Sequence, residues 1–335
     1  MACAVISAGG VGSLAFSYSA PHQVAQDIQA VRDQTDGPIN ANFFLFPDDE
    51  YNKSLLSFAY ESFVLKLRNL VPSVKLPDNF KVPVQPYFYD LRCQLKPVWE
   101  LKPQIITFHF GIPPHDIFQR AQELGILVGL TATNSNEAKS CIDAGADFII
   151  AQGIETGGHR GCFEPNPVDD PCLGRLALLA ELTSRWDIPI VAAGGIMTAE
   201  DVQASLNYGA AAVQVGTAFI TTKESLASRS YQDSLLRMAH LETTFTRSFT
   251  GRPAQCLPNE FTRLMDMDPL HAADILPFPL QHTLTAPMRK MAADRGDADF
   301  QSMWCGSRFA LCQEGIAARD LVNRLMTRQD IDEAL

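Results

Sequence analysis

Ala146-Asp147-Phe148-Ile149-Ile150-Ala151-Gln152-Gly153-Ile154-Glu155-Thr156-Gly157-Gly158-His159-Arg160-Gly161 is the stretch whose reading decides the fold. Its first half is a short, mostly apolar run, the pattern of a buried parallel strand. Its second half is a glycine-rich turn carrying one imidazole. Glycine lacks a Cβ, so such a turn lets backbone approach a ligand closely. The histidine sets a titratable group within that ligand's reach. A buried strand ending in a ligand-facing turn is the repeating device of α/β barrels, whose sites lie at the carboxyl ends of the strands.

Two further strand ends repeat the device. Pro189-Ile190-Val191-Ala192-Ala193 runs into Gly194-Gly195-Ile196, and Ala211-Ala212-Val213-Gln214-Val215 runs into Gly216-Thr217-Ala218-Phe219. Barrels often hold a phosphate on the loops after their seventh and eighth strands, through backbone N–H groups and a helix N-terminus. Thr198 and Thr217 add hydroxyls there. Any one glycine pair also fits a plain tight turn. Three such ends in series favour a ligand.

Strand patterns at 12–16, 39–45, 104–110, 126–131, 146–151, 189–193 and 211–215 alternate with helical ones at 23–34, 114–124, 135–144, 172–185 and 199–208. This alternation predicts parallel βαβ units. Seven strands are readable where a closed (β/α)8 TIM barrel needs eight. Residues 1–10 read as the tail of a helix ended by glycine, so the expectation is a barrel lacking its first strand. Segments 12–16 and 211–215 then face each other across a gap, with unpaired backbone at both flanks and a weakened cofactor wall. Residues 1–220 form the barrel, interrupted by an insertion at 47–103 that is helical around 52–70 and loop-like over 83–97. Residues 221–335, with helical patterns at 225–244 and 316–326 and proline-punctuated turns between, form a C-terminal helical region covering the substrate.

Composition narrows the class. The chain has 335 residues, 46% hydrophobic and 19% charged, enough for a large core. A net charge of −11 argues against nucleic acid, which demands clustered Lys and Arg. No run of about 18 apolar residues suggests a membrane span, and no signal peptide is evident. Eight cysteines without repeated spacing read as reduced thiols in a cytoplasmic protein. His159, Cys162 and Cys172 do not match a zinc spacing, so no metal is expected.

With Thr107-Phe108-His109-Phe110-Gly111, Asn42-Phe43-Phe44, Phe249-Thr250-Gly251-Arg252-Pro253, Trp304-Cys305-Gly306 and Ser7-Ala8-Gly9-Gly10-Val11-Gly12-Ser13-Leu14, these motifs span nearly the whole chain. Together they resemble the nitronate monooxygenases, formerly 2-nitropropane dioxygenases. The histidine motif is specific; the glycine pairs alone are not. The resemblance implies an FMN cofactor, and oxidation of a small nitronate or nitroalkane by dioxygen to an aldehyde or ketone plus nitrite. A homodimer is the assembly considered. In that family the absent first strand carries an Ala-Pro-Met turn beside the flavin, a departure here.

The same resemblance implies site residues. Asn42 and Gln152 fall on the flavin, and Gln152's amide can donate and accept, as the flavin's polar edge requires. Gly157, Gly195 and Gln214-Val215-Gly216-Thr217 fall on its ribityl chain and phosphate. His159 is the catalytic candidate, as a base for a neutral nitroalkane or as a cationic stabiliser near neutral pH. His109 reads first as a satisfied core histidine, and alternatively as one aimed at the mouth. His22, His115, His240, His271 and His282 show no constellation. Glu155 and Arg160 pair with each other or with solvent. Tyr87, Tyr89, Trp304 and Phe309 are candidate pocket aromatics. The rival functions are an NAD(P)H-dependent flavin reductase acting on quinones or enoyl thioesters, and a flavin-free remnant of the fold. A phosphate-sugar isomerase lacks an acid/base pair at the strand ends.

Overall fold

Alternate residues of the central strands face two different environments, and this places the site. In the strand β2 (Ile39–Phe44), Ile39, Ala41 and Phe43 are fully buried against the helix layer. Asn40, Asn42 and Phe44 therefore face the other way, into the barrel. In β3 (Ile105–His109), Ile106 and Phe108 join the same apolar layer, which turns Thr107 and His109 inward. The computed structural model describes residues 1–46, 61–65, 88–164, 170–266 and 275–327.

Among the described residues seven strands form one parallel sheet in the order β1-β2-β3-β4-β5-β7-β8, and this curled sheet with its helices is a TIM barrel short of one strand. The remaining members are β1 (Gly12–Ala15), β4 (Leu127–Ala132), β5 (Phe148–Gln152), β7 (Ile190–Ala193) and β8 (Ala212–Gln214). Every neighbouring pair is parallel, with Asn42 opposite Thr107 and Gln152 opposite Ala193. Between the strands come α2 (Pro21–Arg32), α3 (Leu91–Leu101), α4 (His115–Leu124), α5 (Ser135–Asp143), α6 (Arg175–Thr183) and α7 (Ala199–Asn207), after the opening α1 (Ala2–Ser7). The inner surface is polar near β2. Asn40 Nδ2 donates to Ser13 Oγ at 3.0 Å and Thr107 Oγ1 at 3.1 Å. Farther round it is apolar, where the Phe148 ring occupies the space left by Gly129.

β1 and β8 are the two edges of the sheet. Their inward residues Ser13, Ala15, Ala212 and Gln214 are exposed, whereas the inward Thr107, Thr131 and Gln152 of the middle strands are buried. The helix layer does close. The last helix, α11 (Ala318–Met326), packs against both α7 and α1, and Leu321 and Leu325 join the barrel core. The C-terminal region is thus divided: its end completes the helix ring, while residues before it cover the mouth.

That covering part contains α8 (Arg229–Arg237), α9 (Glu260–Asp266), α10 (Leu280–Arg295) and an antiparallel sheet of β6 (Gly158–His159), β9 (Thr244–Thr246) and β10 (Ala254–Cys256). It has its own cores around Phe249, Phe261 and Met288, and around Leu257, Met303 and Phe309. Three expectations need correction. Residues 91–97 are helix rather than loop, because buried Pro97, Leu95 and Val98 anchor α3 and Asp90 caps it through the Cys93 N–H at 2.9 Å. The helix expected at 225–244 shortens to α8, since 244–246 pairs with β10 instead. Pro287 lies inside α10 rather than in a turn. The expected helical centre of the insertion is described only at 61–65, which is helical; Tyr87 and His271 lie outside the described residues.

Candidate active site

The turn after β5 is held by its own side chains. Gln152 Nε2 donates to the His159 carbonyl at 3.1 Å, and its Oε1 accepts from the Gly161 N–H at 2.7 Å. Arg160 donates to the Gln152 carbonyl at 2.6 Å and pairs with Asp170 at 2.5 Å, both side chains buried. Glu155 instead accepts from the Arg175 N–H at 2.9 Å, where α6 starts. Glu155 and Arg160 therefore do not pair with each other; each locks one end of the turn. Gly158, in the left-handed region at φ 75°, lets the chain enter β6, where His159 sits opposite Ala254 of β10.

His159 stands in an aromatic box. Its ring centroid lies 5.5 Å from Phe44, 5.7 Å from Phe110, 5.8 Å from Phe278 and 5.6 Å from Trp304. Nε2 is 3.0 Å from Thr250 Oγ1. Burial pushes this imidazole down to about 3, and the charges of Arg252 and Arg289 reinforce the shift. Desolvation disfavours the charged form, so the direction of the shift in this box is toward the neutral ring rather than the cationic one. His109 is both things the sequence allowed. Its Nδ1 is 2.6 Å from Thr131 Oγ1, and it faces the same mouth, 5.9 Å from Phe44. Burial, then Arg252, lowers it to about 4.

The opposite wall comes from the C-terminal part, as the covering region expected there, but sequence reasoning assigned no role to its Arg252, His282 and Arg289. Arg252 lies over the Phe110 ring at 3.9 Å and donates to the carbonyls of Cys162 and Phe163. His282, which showed no constellation in the sequence, stacks face to face on Tyr18, 4.0 Å between centroids and 7° between planes. Arg289 donates to His282 Nδ1 at 3.2 Å. Arg252 sits in a legible motif, Phe249 to Pro253; nothing local marks Arg289 or Tyr18. Among the described residues neither arginine forms an ion pair. Two guanidiniums beside neutral imidazoles make the mouth electropositive, a setting that favours anions.

The remaining predicted residues lie along the same carboxyl edge of the sheet. Asn42 Oδ1 accepts from Thr107 Oγ1 at 2.8 Å, leaving its N–H donors without a partner among the described residues. Gly195 is left-handed at φ 64°, and a Cβ there would sit 2.9 Å from Glu155 Cβ. A Cβ on Gly216 would meet nothing within 4 Å, so open space borders this backbone. Thr217 Oγ1 accepts from the Gly306 N–H at 3.0 Å and opens a short 3-10 turn. Gln214 is an exposed inward residue of β8, and half-buried Val215 packs on the barrel core. Gly157 serves packing: its Cβ would lie 2.4 Å from the Gly306 nitrogen, so backbone meets backbone there. Trp304 lines the box, Phe309 is core, and Tyr89 is exposed.

Comparison with known proteins gives a consistent set. A family model described as nitronate monooxygenase matches residues 1–328. A nitronate monooxygenase of Pseudomonas aeruginosa is 35% identical over 97% of this chain and 91% of its own length. A probable nitronate monooxygenase of Staphylococcus aureus is 32% identical over 91% of this chain and 84% of its own. A nitroalkane oxidase structure from Streptomyces ansochromogenes superposes with a TM-score of 0.86 at 35% identity, covering 97% of this chain and 89% of that one. FabK from Thermotoga maritima, 24% identical with a TM-score of 0.72 over 97% of this chain and 86% of that one, shares the fold.

Proposed function

We propose, from the premise that the chain belongs to the nitronate monooxygenase family of oxidoreductases, that it is an FMN enzyme oxidising alkyl nitronates with dioxygen. An oxygen atom joins the carbon that carried nitrogen, the C–N bond breaks, and nitrite leaves. Two nitronates and one dioxygen balance as two carbonyl products and two nitrites. The single observation that carries this reading is the placement of His159 in an apolar box facing two arginines that form no ion pair among the described residues.

FMN suits the residues present. The open side of Gly216, beside the left-handed Gly195 and the 3-10 turn from Thr217, is a cradle for a phosphate. Among the described residues the Asn42 amide N–H donors have no partner, and Gln152 Nε2 keeps one N–H beyond the bond it makes to the His159 carbonyl. Gly157 contributes by fixing the turn against Gly306. Bound flavin supplies the electron acceptor; orientation and electrostatics belong to the protein. His159, neutral and held by Thr250, is a weak base, so a substrate already deprotonated suits the mouth better than a neutral nitroalkane. The eight unpaired thiols support a cytoplasmic setting.

Anaerobic titration with an alkyl nitronate, followed by the visible spectrum, tests the reading. Flavin bleaching and nitrite release on readmitting air are expected. NAD(P)H oxidation without any nitronate, or a colourless protein, would replace it.

A further inference from the structure

We infer that Arg289, with the Tyr18 hydroxyl beside it, is the substrate-binding cation of this mouth and holds an anionic head group there. The inference deepens the nitronate reading and rests on it for the identity of the substrate.

Every guanidinium nitrogen of Arg289 meets a neutral acceptor. Nε donates to Thr285 Oγ1 at 3.2 Å, one terminal nitrogen to Ser302 Oγ at 3.4 Å, and the other to His282 Nδ1 and the His282 carbonyl at 3.2 and 3.1 Å. Three of these contacts are at the long end of hydrogen-bond range. A guanidinium has no lone pair to offer, so His282 Nδ1 must be the acceptor. His282 is then neutral, with its proton on Nε2. Burial, helped by Arg289, pushes that imidazole down to about 2. Arg289 itself is pushed down to about 10 by burial. A charge this enclosed, with no opposite charge among the described residues, costs stability until something supplies one.

A second orphan lies at the same spot. The Tyr18 hydroxyl is buried with no hydrogen-bond partner, while its ring stacks on His282. A buried hydroxyl without a partner is uncommon and costs about 1–3 kcal/mol. One anion bearing two oxygens satisfies both groups. The position is right for the proposed chemistry. Tyr18 packs edge-on to Phe44, which in turn packs edge-on to His159. Arg289 and His282 both act electrostatically across to His159. Arg252 is the other unpaired cation, but its face is covered by Phe110 and its donors end on Cys162 and Phe163 carbonyls. It contributes field and leaves contact to Arg289.

The test uses the full chain, flavin-loaded, with Arg289→Met, Arg289→Lys and Tyr18→Phe. Nitrate serves as a planar, unreactive anion in calorimetry, and an alkyl nitronate serves in steady-state assays. Arg289→Met is expected to weaken nitrate binding and raise KM for the nitronate by about 100-fold, the scale of a lost buried charge contact. Its kcat should fall far less, and KM for the matching neutral nitroalkane should hold. Arg289→Lys should recover most of the affinity, and Tyr18→Phe should lose about tenfold. Nitrate binding by the wild type that Tyr18→Phe leaves unchanged overturns the inference even if Arg289→Met fails to fold. So does a wild type that binds no nitrate. A wild type that binds nitrate through Arg289 yet turns over no nitronate keeps the anion site and defeats the nitronate reading alone.

Discussion

The two walls of the mouth offer a ligand different things. The barrel wall is made of strand ends: glycine backbone, amides, hydroxyls and His109, with its charged residues Glu155, Arg160 and Arg175 spent on the backbone of Arg175, Gln152 and Gly194 and on Asp170 and Asp201. The C-terminal wall brings Arg252, Arg289, His282 and Trp304. Polar shape comes from one side and charge from the other. A site assembled this way binds only when both walls are docked, and His159 lies on the seam, on a two-residue strand paired to β10.

The largest expected effect comes from separating the walls. Gly157 and Gly306 meet backbone to backbone, and a Cβ on Gly306 would lie 2.4 Å from the Glu155 carbonyl oxygen. Gly157→Ala or Gly306→Ala should therefore cost about 3 kcal/mol or more, because the facing atoms are main chain and cannot rotate away. Denaturant midpoints read this, together with loss of bound flavin. Wild-type midpoints would show that the walls are held elsewhere.

Next is the seam residue. His159→Asn should retain flavin and lower kcat/KM for a neutral nitroalkane by about 100-fold, the low end for a positioned base. The loss with the corresponding nitronate should be under about tenfold, since no proton needs removal. Equal losses on both substrates would move His159 from proton transfer to holding the anion.

The charged wall also predicts a pH dependence. His109, His159 and His282 sit at about 4, 3 and 2 when folded, against an ordinary 6.5. Below about pH 6.5 the unfolded chain takes up protons that the folded chain refuses. Stability is therefore full above that pH and falls as pH drops, by up to about 1.4 kcal/mol per pH unit for each imidazole. Urea midpoints between about pH 6.5 and 5, above the ordinary carboxylate range, should show a slope that His282→Asn reduces by roughly a third. A flat profile would mean that the three rings protonate freely in the folded chain.

The smallest effect is the most specific. Tyr18→Phe removes a buried hydroxyl that has no partner. It should raise stability by about 1 kcal/mol while weakening anion binding. A destabilised variant would show that the hydroxyl is satisfied in solution.

The barrel wall was legible because its signals are local. Apolar runs ending in glycine, as at Ile150 to Gly153, Ala193 to Gly195 and Val215 to Gly216, specify both the strand and the turn within a few residues. The parallel seven-stranded sheet follows from that alternation, as does the gathering of His159, Gln152 and Asn42 at one edge. The roles of Gly157 and Gln152 were less legible. What each touches is decided by chain far away or folded back: Gly306 for the one, and its own turn at 159–161 for the other.

By itself, then, the sequence determined the seven-stranded parallel α/β barrel and the glycine-bearing edge where a ligand belongs, since hydrophobic period and backbone freedom act over short distances. Only the tertiary structure decided the electrostatics of that edge. Arg252 and Arg289 are far from His159 in the chain, and no local pattern says that their charges act on it. Whether an imidazole is charged depends on how much water and which charges surround it, and those are set by packing between the two walls.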